Sequence, residues 1–168
     1  MTKRFIIILV ALLLVLSIAG CGDKPVTPTE PVGGGGGGII FDPNQGDYVP
    51  PSGGGAAAED GVAIPGFGTL TIPPNVTEIN VDFYNPEVNA EKFYLTFEIR
   101  IPNDSEEGYE SIYKSGLVKA GNHIQKITIS RGFDKGEYDA YIFVQPYRAD
   151  EDLTPVNNAN LKFKLIVK

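Results

Sequence analysis

The chain has 168 residues, with 14 Lys and Arg against 21 Asp and Glu, one His, one Cys and no Trp. The acidic balance excludes a nucleic-acid binder, which needs basic groups to displace counterions from phosphates. One Cys and one His exclude a disulfide framework and any cysteine-rich or imidazole-rich metal site.

Lys3 and Arg4 precede an unbroken apolar run from Phe5 to Leu16. Twelve apolar residues are too few for a spanning helix, which takes about 20, and with a basic start and small residues behind they form a secretory signal. Ile18-Ala19-Gly20-Cys21 resembles the bacterial lipobox. That resemblance implies removal of residues 1–20 and diacylglycerol and acyl chains, such as palmitate, on Cys21. It also implies a cell-membrane anchor facing the extracytoplasmic side. An ordinary signal peptide ending near a chance cysteine, or an uncleaved anchor, would share the same first twenty residues. Acyl chains on Cys21 would be the only non-protein group, since no cofactor is indicated.

Residues 21–63 are expected to be a disordered Gly/Pro-rich linker. Between Gly22 and Ala63 lie 12 Gly and 6 Pro, too little apolar surface to offset the entropy of ordering. As a flexible coil the stretch would reach roughly 35 Å. One part is not low-complexity: Ile39-Ile40-Phe41 and Tyr48-Val49 flank Asp42-Pro43-Asn44-Gln45-Gly46. It could add a strand to a partner or to its own domain. The blander alternative, adopted here, is drift in an unconstrained linker or a slight contact with the neighbouring domain.

Residues 64–168 have the composition of one globular domain, and strand periodicity dominates them. In chain order the expected strands are Gly68–Ile72, Thr77–Asn85, Phe93–Ile101, Glu110–Ser115, Ile124–Ser130, Glu137–Tyr147 and one over 159–168. Phe93, Leu95, Phe97, Ile99 and Ile101 are expected inside, with Tyr94, Thr96, Glu98 and Arg100 outside. Ile124 is out of phase with Ile127 and Ile129, which predicts a bulge or strand start near Gln125. Seven strands with turn signals between them predict an all-β fold, a single seven-stranded Greek-key immunoglobulin-like β-sandwich.

Asp134-Lys135-Gly136-Glu137-Tyr138-Asp139-Ala140 resembles the D-x-G-x-Y-x-C frame of the immunoglobulin F strand, with Ala140 in the cysteine position. The frame implies a tyrosine corner at Tyr138 and an inward Ala140. Tyr84-Asn85-Pro86, the turn at Lys119–Asn122, and Pro155-Val156-Asn157-Asn158-Ala159 before the last strand resemble bacterial CARDB-like adhesion modules over residues 77–168. The whole layout is similar to small lipoproteins of Gram-positive gut-type bacteria, a likeness that implies a location and a fold and no activity.

His123 is the only imidazole, and no nucleophile motif accompanies it. The acidic loops containing Asp104 and Glu106, and Asp150 and Asp152, are slight calcium candidates without EF-hand spacing, so no metal site is assigned. Outward positions on the long strands predict an aromatic-cationic face of Tyr94, Arg100, Tyr141, Phe143, Tyr147, Lys162 and Lys164. Cross-strand packing alone could equally account for those rings. The expected function is a non-enzymatic surface lipoprotein that displays an adhesion or envelope-assembly module. The alternative is a glycan or small-molecule binder using the same aromatic face. Partners would be the membrane, through the lipid, and another envelope protein or a glycan.

Overall fold

A computed structural model describes residues 39–49 and 61–168. The expected signal peptide, Cys21 and most of the linker lie outside the described residues. Among the described residues, eight strands form two sheets: β1 (Gln45–Asp47), β2 (Leu70–Ile72), β3 (Glu78–Tyr84), β4 (Phe93–Pro102), β5 (Tyr109–Lys114), β6 (Asn122–Thr128), β7 (Gly136–Arg148) and β8 (Ala159–Val167). One sheet has the order β1-β6-β3 and the other β2-β8-β7-β4-β5. Every pairing is antiparallel except β2 with β8. The links β3–β4, β5–β6 and β6–β7 each pass from one sheet to the other, which is the Greek-key path of an immunoglobulin-like sandwich.

The inward residues of the two sheets meet in one core. Ile79, Phe83, Ile124, Ile127 and Ile129 face Leu95, Phe97, Ile99, Ala140, Ile142, Val144, Phe163, Leu165 and Val167, all buried. Phe83 stacks on Phe97 across the sheets at 5.2 Å, and Phe67 closes on both edge-on. Between the pairs Asn80–Lys126 and Phe83–Ile124, two residues of β3 oppose one of β6. That bulge lies at Gln125, and its extra residue belongs to β3. It lets Ile124 and Ile127 share the core face despite their odd spacing. The Tyr138 hydroxyl donates to Asp134 O at 2.9 Å, the hydrogen bond of a tyrosine corner, and Ala140 is fully buried.

Two findings correct the sequence reading. The strand count is eight because the segment 39–49, taken above as linker drift, docks on the domain as β1. The boundary between linker and domain therefore does not fall cleanly at residue 63. In addition, Thr96 and Glu98 are buried although they sit on the outer phase of β4. β4 is flanked by β5 and β7, and register puts Gln145 of β7 opposite Thr96, and Phe143 of β7 and Lys114 of β5 opposite Glu98.

A buried polar knot ties one end of the sandwich. Asn85 donates through Nδ2 to Phe93 O at 3.0 Å and Val118 O at 2.9 Å, and its Oδ1 accepts from Asn89 Nδ2 at 2.7 Å. Asn89, in a 3-10 turn at Glu87–Asn89, also exchanges hydrogen bonds with both backbone groups of Ala63. An amide that donates and accepts at once can satisfy a dry site where three chain segments meet.

Candidate interaction face and edge site

The outer face of the five-stranded sheet carries most of the residues singled out from sequence. Register places Tyr94 opposite Tyr147, Arg100 opposite Tyr141, and Tyr141 opposite Lys162, so period-two alternation brings them to one side. Tyr94, Tyr141, Phe143 and Tyr147 are each half-buried. The cations on this face are engaged internally. Arg100 lies between two rings, its guanidinium carbon 3.8 Å from the Phe143 centroid and 4.2 Å from that of Tyr109, and pairs with Glu98 at 2.6 Å. Lys162 and Lys164 both reach Asp139, at 3.3 and 2.7 Å. Hydrogen bonds from those two lysines, Lys164 first, hold the Asp139 carboxyl below its usual range. The surface that results is a row of rings along β7 with locally neutralised charge.

Tyr94 is not open at its edge: Phe41, from the docked segment, meets it edge-to-face at 5.2 Å. Lys119 Nζ sits 4.2 Å above the other ring, that of Phe41. This contact joins the aromatic face to a second feature that sequence reasoning passed over.

The second feature is the edge formed by residues 115–123, which receives segment 39–49. Asp42, 6% exposed, accepts Gly116 N–H at Oδ2 (2.9 Å) and Asn44 N–H at Oδ1 (2.8 Å), while its own N–H donates to Leu117 O at 2.9 Å. Gln45 acts as a substitute strand. Its Nε2 donates to Leu117 O at 3.1 Å and to Asp42 O, and its Oε1 accepts Lys119 N–H at 2.9 Å. β1 then pairs with β6 as Gln45–Ile124, Gly46–His123 and Asp47–Asn122. Tyr48 closes the contact, donating N–H to Gly121 O, stacking on Tyr84 at 4.3 Å and lying edge-on to His123.

Gly116 makes this approach possible. A Cβ there would stand 2.8 Å from Asp42 N and 2.9 Å from Asp42 Cα, inside any tolerated contact. The Tyr113 hydroxyl is buried near Asp42 without meeting hydrogen-bond geometry. Its pKa is pushed up, first by burial and then by the Asp42 charge. The Tyr48 hydroxyl is also raised, by burial, then Asp82, then Tyr84.

The remaining candidates do not converge. His123 meets Asp82 through Nδ1 at 3.1 Å, on the β3–β6 pair beneath Tyr48. Asp104 and Glu106 are exposed in the β4–β5 turn, and Asp150 and Asp152 are exposed between β7 and β8. Among the described residues, no three His, Cys, Asp or Glu side chains lie close enough together to hold a metal ion. Nor is any helix among them long and apolar enough to cross a membrane. A shallow depression of about 360 Å³ is lined by Glu91, Lys92, Phe93, Arg148, Ala149 and Asp150. No protein-family model matches the chain, and no curated protein matches it either.

Proposed function

We propose that this chain is a non-enzymatic, lipid-anchored cell-surface protein that displays an immunoglobulin-like module for adhesion or envelope assembly. The observation that carries the reading is the row of Tyr141, Phe143 and Tyr147 on an open sheet face, combined with paired, locally cancelled charge around it. Rigid, half-exposed rings offer contact area at little entropic cost, and charges already paired add little desolvation penalty when a protein surface closes over them. The lipobox supplies the location. The same ring row is also the feature that a glycan reading would use, with sugar faces stacked on Tyr141.

Two measurements test this. A clickable fatty acid should label the wild-type protein in cells, and Cys21→Ser should abolish both the label and membrane retention. Proximity labelling from native envelopes should give a defined set of protein neighbours that Tyr141→Ser depletes. Capture of glycan, abolished by the same substitution, would move the assignment to the alternative. Unchanged neighbours and no glycan binding would show that the face is not the contact.

A further inference from the structure

The docked segment is held in an unusual way. No residue of 39–49 belongs to the hydrophobic core, which is complete without it. Ile39, Ile40 and Val49, the most apolar positions outside the two rings, are exposed. Its attachments run instead to backbone groups of residues 116–124 and to the rings of Tyr84, Tyr94 and His123. Each of these attachments joins chain segments remote in sequence, as in binding of a separate peptide, and the contacts within the segment, such as Asn44 N–H to Asp42 Oδ1, only shape it. Departure of the segment would leave the N–H of Gly116 and Lys119, and the carbonyls of Leu117 and Gly121, to water rather than open the sandwich. A short strand added to an exposed edge, with rings at either end, is the geometry of β-augmentation.

We infer that the edge 115–123 is a strand-acceptor site for an extended Phe-Asp-x-x-Gln-x-x-Tyr peptide, filled in cis by residues 39–49 and filled in exchange by the same segment of a second copy. The second copy is the occupant because the docked geometry demonstrates complementarity to this motif, and every copy carries it. Eleven residues, 50–60, connect the segment to the domain, a covalent span of at most about 40 Å. A short connection of that kind holds a segment near its own site at roughly millimolar effective concentration. Exchange therefore takes over when copies crowd to that level, without any new contact being made. Crowding at a membrane is the condition that the lipid-anchor reading supplies, and the site itself can be tested without it.

The test uses full-length mature chain carrying Cys21→Ser, which leaves no other cysteine. Gly46 and His123 are register partners, and a Cβ at Gly46 meets no atom within 4 Å. Directly opposed residues of antiparallel strands lie about 4.5–5.5 Å apart, within disulfide reach. A chain with both Gly46→Cys and His123→Cys should close within itself in dilute solution. A mixture of Gly46→Cys chains and size-tagged His123→Cys chains should give the 46–123 heterodimer at about 1 mM and little at micromolar concentration. Gly116→Ala in the His123→Cys chain should lower heterodimer yield about tenfold or more. Alanine is accepted by the domain itself, because Gly116 does not occupy the left-handed region that favours glycine. The inference is overturned if the mixture stays unlinked at 1 mM while the double variant closes. It is equally overturned if Gly116→Ala leaves the heterodimer unchanged, or if the double variant fails to close.

Discussion

The outer face of the five-stranded sheet and the edge 115–123 both carry aromatic rings beside charged groups, yet they are built on opposite principles. On the face, side chains pair with side chains: Arg100 with Glu98, and both lysines with Asp139. At the edge, side chains read backbone: Asp42 takes the Gly116 N–H, and Gln45 spans Leu117 and Lys119. The exposed lysine pairs with Asp139 contribute little to stability, whereas the Arg100–Glu98 pair is largely buried. Backbone-directed polar groups at a partly closed edge fix register and orientation, so they define a particular segment. The face is suited to breadth of contact and the edge to selectivity.

Substitutions can separate these roles, and the largest effect is expected at neither one. Asn85→Ala removes the knot that holds Phe93, Val118 and Asn89 together. It strips a donor from the carbonyls of Phe93 and Val118, the latter keeping only the Leu95 N–H, and an acceptor from buried Asn89, and should cost the whole domain about 3 kcal/mol. Thermal unfolding should fall by on the order of 10 °C. Asp42→Ala comes next but acts locally. Loss of two hydrogen bonds to a carboxylate, worth about 2 kcal/mol, should speed hydrogen exchange at the Asp42 and Tyr48 amides while core amides keep their protection. A cooperative loss of protection throughout the domain would instead make β1 an integral strand. On the face, Arg100→Lys loses the planar stack between Phe143 and Tyr109 and should lower the denaturation free energy by about 1 kcal/mol.

The contrast also explains what could be read in advance. The face was legible because strand periodicity is local: alternate residues of β4, β7 and β8 must share a side once they pair. Ile79, Val81 and Phe83, or Phe93 through Ile101, announce an inward stripe from spacing alone. The pairing of Lys162 and Lys164 with Asp139 was not legible, because it depends on register between strands more than twenty residues apart. Burial of Thr96 and Glu98 was missed for a related reason, since the sequence does not say which strand is central. The edge was hardest. Its signal lay in Asp42 and Gln45, residues that a loop also favours, while the apolar Ile39, Ile40 and Val49 that drew attention to the segment stay exposed. The receiving feature, the missing Cβ of Gly116, looks like any other glycine until the opposing backbone is placed above it. Asn85, at the end of an expected strand, and Asn89, which nothing in the sequence singled out, are buried polar ties.

Acid should probe the exposed side-chain pairs, and its expected effect is the smallest. Arg131 grips Glu110 through Nε and Nη2 at 2.8–3.1 Å, and this hydrogen bonding holds the Glu110 carboxyl below its ordinary 4.5. Asp139 is likewise held below its ordinary 3.8, chiefly by Lys164 and Lys162. A carboxyl whose folded pKa is depressed adds stability that is present above its unfolded pKa and lost as pH falls through the folded one. Stability should therefore decline as pH drops from about 5 toward 3, and the decline should be shallow because all five groups are substantially exposed and screened by solvent. Glu110→Gln should flatten part of that decline, as should half-molar salt, measured as urea midpoints at pH 5 and pH 3. A steep loss across the same interval that Glu110→Gln leaves intact would place the acid-sensitive group elsewhere.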